Sequence, residues 1–156
     1  GFTFDSDGNL HFTGSDKEII RKLHEDSVNY LRNKHQPFVK KVEERFVNKY
    51  VADGCEIDPE SISPKLREIT TEQDAQVFRW VKLHWSIPTS AGYGRRLRYL
   101  VFDDNTQKLI GIIGLDDPVF GMKDRDQMIG WNREQRSEGL RKIMDAFVLG
   151  SIPPYS

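Results

Sequence analysis

The residues best suited to chemistry lie between Ser90 and Trp131, in the run SAGYGRRLRYLVFDDNTQKLIGIIGLDDPVFGMKDRDQMIGW. Arg95, Arg96 and Arg98 follow Gly92-Tyr93-Gly94, a turn whose glycines let backbone come close while the guanidiniums reach for phosphate oxygens. Asp116 and Asp117 stand side by side before Pro118, where an extended strand would release them toward solvent. Such carboxylates offer hard oxygen ligands to a divalent cation, or one of them serves as a general base. Asp126 joins them as a third carboxylate, with Arg125 as an electrostatic clamp on a charged reacting group. In Lys123-Asp124-Arg125-Asp126 the signs alternate, so a local arginine–carboxylate network that needs no substrate is the competing reading. Arg133, Arg136, Arg141 and Lys142 would extend the basic patch, and an arginine-rich strand edge that deters edge pairing would explain the first cluster equally well.

Other reactive side chains stand alone. Cys55 is the single cysteine in the chain, which excludes an intrachain disulfide and a cysteine-rich zinc site. His24 and His35 have no second ligand at metal spacing. No textual motif for a metal, a nucleotide or a catalytic nucleophile is present.

The 156 residues carry 37% apolar and 30% charged side chains and a formal charge of -1. That length accommodates one domain with a core. The charge gives no global field toward nucleic acid, so binding would need a local patch. No apolar run approaches the ~18 residues of a membrane span, and the expected setting is a reducing cytoplasm without membrane attachment.

The elements that must position these residues can be read in order. Residues 1–14 form an arm or hairpin, with Phe2 and Phe4 before Asp7-Gly8 and Leu10 to Phe12 after it. A helix opens at Ser15 with Glu18 at capping-box spacing, and Pro37 breaks or restarts it before Asp53-Gly54 stops it. Residues 55–69 read as a connector. A third helix follows Thr71, with Asp74 completing its cap, and ends before Pro88. Trp80 and Trp85 anchor it to a sheet, or offer a platform for bases. Leu97 to Phe102 alternates as a strand, and Lys108 to Leu115 forms the second arm of an antiparallel hairpin, apolar enough to be covered on both faces. Gly111 and Gly114 mark a bulge, a tight packing contact, or a ligand lying against that strand. Met128 to Trp131 reads as a third strand. Asn132, boxed with Gln135, starts a helix whose apolar face is Leu140, Ile143, Met144, Phe147 and Val148. The expectation is an α+β fold: a helical region at 15–88 packed with a small, mainly antiparallel sheet and an amphipathic helix at 89–156.

GYGRRLRYLVFD, KLIGIIGLDDPVF, RDQMIGW and IMDAFVLGSIPPYS resemble the Druantia DruA-like family over about residues 85–156. The resemblance implies a setting in bacterial anti-phage defence, alongside other subunits of a defence system, and no stated reaction. Similar members continue past the IPPY segment, so the chain is expected to be truncated at its C-terminus. Three functions follow as alternatives. The first is DNA or RNA binding through Arg95, Arg96, Arg98, Arg133 and Arg136. The second is an enzyme acting on a nucleotide or nucleic acid, with Asp116, Asp117, Arg125 and Asp126, and a divalent cation as the cofactor such carboxylates would hold. The third is a scaffold subunit docking through its amphipathic helices.

Overall fold

A computed structural model of the chain describes residues 2–8, 10–12 and 17–156. Strands β1 (Phe2–Phe4) and β2 (Leu10–Phe12) pair antiparallel as a separate hairpin. The Ser15–Glu18 cap lies outside the described residues.

Helices α1 (Lys17–Lys34) and α2 (Gln36–Tyr50) meet at His35. Pro37 occupies the first turn of α2, where its missing N–H is no loss. Two 3-10 turns follow, at Gly54–Glu56 and Pro59–Ser61. The chain then forms strand β3 (Pro64–Glu68), where the sequence reads as a connector. All five of its residues are exposed, so it carries no apolar alternation. It is held by its ladder to the next strand, and Pro64 stands at its first position, where an absent donor is tolerated.

Helix α3 (Glu72–Leu83) starts at Thr71, whose Oγ1 accepts the Asp74 amide at 3.1 Å. Strands β4 (Arg96–Asp103) and β5 (Leu109–Asp116) form the expected hairpin. Asp103 organises its turn: the buried carboxylate accepts the Ser63 and Asn105 amides and the Thr106 hydroxyl. Burial would raise its carboxyl, but these donors outweigh burial and hold it below the ordinary range.

Two expectations for the C-terminal third are corrected. Met128 to Trp131 is not a strand. Helix α4 (Lys123–Ile129) ends there, and Gly130 closes it in the left-handed region at φ +79°. The next helix does start at Asn132, with the capping box to Gln135 formed. However, α5 (Arg133–Gly139) is short, and after a 3-10 turn at Leu140–Lys142 the chain forms strand β6 (Asp145–Ser151). The helical spacing of Leu140, Ile143, Met144, Phe147 and Val148 is coincidental. Pairing with β5 decides the conformation, with Val148 opposite Gly114 and Leu149 opposite Ile113.

The result is an α+β fold built on an antiparallel sheet in the order β3-β4-β5-β6. Leu100, Phe102 and Ile112 point from its covered face into a core with Tyr50, Val77, Phe78 and Val81 of α2 and α3. Gly114 and Gly150 keep that face thin. A Cβ on Gly114 would collide with Phe147 and Val148, and one on Gly150 with the Trp85 ring, so Gly114 serves side-chain packing. Strand β5 is not covered on both sides among the described residues. The opposite face leaves Leu66 and Leu149 exposed and Tyr99, Val101 and Ile113 half-buried. Among the described residues, no helix is long and apolar enough to cross a membrane.

Candidate functional site

The turn from Gly92 to Gly94 is bound to the end of β5. The Tyr93 amide donates to Asp116 Oδ2 at 2.8 Å, and the Asp117 amide donates to the Tyr93 carbonyl at 3.0 Å. Asp117 then grips Arg95 twice: Oδ2 accepts its backbone amide at 2.8 Å and Oδ1 accepts Nε at 2.6 Å. The backbone amide of Arg95, followed by its side chain, holds the Asp117 carboxyl below the ordinary range. The remaining guanidinium nitrogens donate to the carbonyls of Arg141, Leu140 and Ile143. Arg95 therefore ties the Gly92–Gly94 turn to the segment entering β6. Gly94 sits at φ +59°, and a Cβ there would run into the Asp117 carboxylate. Gly94→Ala is expected to open this clasp and lower stability by about 1–3 kcal/mol, measurable by urea unfolding.

A second clasp organises the excursion between β5 and β6. Asp126 Oδ1 accepts Arg125 Nη2 and Oδ2 accepts Arg136 Nη1, both at 2.8 Å. Arg136, against the opposing effect of burial and together with Arg125, holds the Asp126 carboxyl below the ordinary range. Arg125 also donates to the carbonyls of Val119 at 2.6 Å and Phe120 at 3.1 Å. Arg136 lies 4.7 Å from the Phe120 ring centroid. This is the local arginine–carboxylate network that the alternating signs implied, enlarged by Arg136 from α5.

The structure thus divides the candidate acids. Asp117 with Arg95 and Asp126 with Arg125 and Arg136 form two separate ion-paired clusters, and Asp116 is occupied by the Tyr93 amide. Among the described residues, no group of three or more His, Cys, Asp or Glu side chains could hold a metal ion. Arg133 is exposed in the first turn of α5.

The arginine cluster is divided as well. Strand alternation puts Arg96 and Arg98 on the same side as Leu100 and Phe102, facing the helices. Arg98 lies 5.9 Å from the Phe78 ring of α3. Beneath it opens a cavity of about 590 Å³ between α1, α3 and the loop 84–94. Lys82 of α3 lines the same cavity, donates to the Ser90 carbonyl and lies 5.1 Å from the Phe147 ring. Burial pulls the Lys82 ammonium below its ordinary range, and the Arg98 charge adds to that. Neither Lys82 nor Arg98 has a carboxylate partner among the described residues. Sequence reasoning passed over Lys82, although its position three residues after Arg79 on α3 marks one basic helix face.

An α+β domain with an antiparallel sheet, arginine–carboxylate clasps at its strand ends and a cationic cleft beside its third helix is the class these features define. The chain belongs to the DruA family: the family described as "Druantia protein DruA" matches residues 14–156. The match takes in the helical region as well as the segments that carry the resemblance. Over 157 residues the chain is 41% identical to Druantia protein DruA of Escherichia coli (strain UMEA 4076-1), covering 100% of this chain and 39% of that protein. The chain therefore spans 39% of the length of the curated relative it matches. No solved structure matches it.

Proposed function

We propose that this domain binds nucleic acid as part of anti-phage defence, in the bacterial cytoplasm and alongside other subunits of a Druantia system. The observation that carries this reading is the contrast between two sets of cations. Arg95, Arg125 and Arg136 are consumed by Asp117 and Asp126. Arg98 and Lys82 line one cleft, and Arg96 lies on the same side of the sheet beside Gly92; none of the three has a carboxylate partner among the described residues. Cations left unpaired beside a low-dielectric wall attract phosphate more strongly than the same charges dispersed in water. With a formal charge of -1, the protein must bind a polyanion through such a local patch. Asp116, Asp117 and Asp126 act as structural acceptors in this reading, leaving the metal-assisted reaction without a carboxylate set among the described residues.

The test is a salt titration of DNA and RNA oligomer binding by fluorescence anisotropy. Exchanging Arg96 and Arg98 together for glutamate is expected to abolish measurable binding. Their conservative exchange for glutamine is expected to reduce the slope of log affinity against log salt by roughly two. Binding that ignores salt, or survives the double glutamate variant in a folded protein, overturns the reading.

A further inference from the structure

We infer that the cavity beneath Arg98 is a seat for one nucleotide unit, its phosphate held between Lys82 and Arg98 and its base laid against the apolar wall of Phe78, Trp85 and Phe147. This inference rests on the nucleic-acid reading and names the part of the polymer the domain takes up. Its starting point is the unusual company of the two cations. Lys82 has a backbone carbonyl as its hydrogen-bond acceptor, and Arg98 is packed against Phe78. Like charges in a partly desolvated cleft oppose one another, and a shared anion converts that opposition into attraction for both. The other charged groups facing the cavity do not fill that role. Glu72 accepts from Gln76 at 3.0 Å and forms no ion pair with either cation, and Arg79, held by His35 and the Phe38 ring, is a third cation on the same cavity.

The cavity's size and walls specify more than an anion. About 590 Å³ falls within the roughly 300–1,000 Å³ of small-ligand pockets and far exceeds what a bare phosphate requires. Beyond the cations its lining is mainly aromatic and aliphatic, with Glu72, Gln76 and Thr89 as the other polar members, and Phe147 lies 6.5 Å from Phe78, ring centroid to ring centroid. Gly114 makes room for Phe147 on the sheet, and Gly150 does the same for Trp85, so both rings lie directly against the β-sheet backbone. A planar, weakly polar body attached to a phosphate matches that combination, and every base has the π-face it requires. Arg96, whose side chain packs beside Gly92 at the loop, is placed to meet a neighbouring phosphate of the same strand.

The experiment measures displacement of a labelled single-stranded oligonucleotide from the whole chain by nucleoside 5′-monophosphates, by nucleosides and by inorganic phosphate. Monophosphates are expected to compete at least about tenfold better than inorganic phosphate or nucleosides, with little preference among bases. Lys82→Gln and Arg98→Gln, each at a partly exposed position, are each expected to weaken the monophosphate about tenfold while thermal unfolding is unchanged. Oligomer binding without competition by monophosphates overturns the nucleotide seat and leaves the broader reading intact. Competition by inorganic phosphate equal to that of monophosphates also overturns it. So does monophosphate binding that ignores both glutamine variants. If no oligomer or monophosphate binds at all, both readings fall together.

Discussion

Leu100→Ala is expected to destabilise the domain by about 2–5 kcal/mol, the range for truncating a fully buried leucine whose site does not collapse. Leu100 has no exposed surface and packs between α3 and the sheet. Leu66→Ala is the same substitution on β3, but 60% of that residue's surface is exposed, on the opposite face of the sheet. It is expected to change stability by no more than about 0.5 kcal/mol. Urea unfolding of the two variants under identical conditions measures the contrast directly. Equal losses would mean that both faces are covered, as the unbroken apolar run of β5 suggests when read alone. The pair therefore tests which side of the sheet is core, and with it the placement of Arg96 and Arg98, which share the Leu100 side.

The sequence makes those features legible whose causes are local. The β4–β5 hairpin follows from an alternating strand and an apolar run on either side of the polar turn 103–107, and the starts of α3 and α5 follow from Thr71 and Asn132 at capping positions. The pairing of Arg125 with Asp126 also follows from neighbouring residues of opposite sign. What stays hidden depends on partners distant in the chain. Strand β3 has exposed Lys65, Arg67 and Glu68, and what makes it a strand is its ladder to β4 together with the pairs Lys65–Asp104 and Arg67–Asp74, all with residues elsewhere in the chain. Segment 145–151 carries apolar residues at both helical and strand spacing, and the backbone of β5 selects between them. Asp117 lies 22 residues from Arg95, and nothing in either neighbourhood announces their contact. The same applies to Lys82 and Arg98, on different elements and joined only by the fold. The arginine cluster was visible as a basic stretch, whereas its division into one clasped and two available side chains required coordinates.

That division is what makes acid behaviour informative. Asp103, Asp117 and Asp126 are all held below their ordinary value of 3.8 by donors that exist only in the folded chain. Unfolding releases those donors, so the unfolded chain binds protons at higher pH than the folded one. The stability contributed by these carboxylates is therefore full above 3.8 and lost as pH falls through the lower folded-state values. The urea midpoint is expected to be level near neutrality and to drop progressively below roughly pH 4 to 5. Asp126→Asn should lower the midpoint at pH 7, because Arg125 and Arg136, with side chains only 13% and 22% exposed, then oppose each other without an anion between them. Its deficit relative to the parent should shrink as the pH falls, since protonation removes the same charge from the parent. The variant is expected to lose part of the parent's acid-induced drop and keep the rest, because Asp103, Asp117, Asp53 and Glu138 are also held low by native donors. A deficit that stays constant from pH 7 to 3 would show that Asp126 contributes through packing and not through its charge. A variant of unchanged stability would instead mark the Asp126 cluster as held in place for something other than the fold.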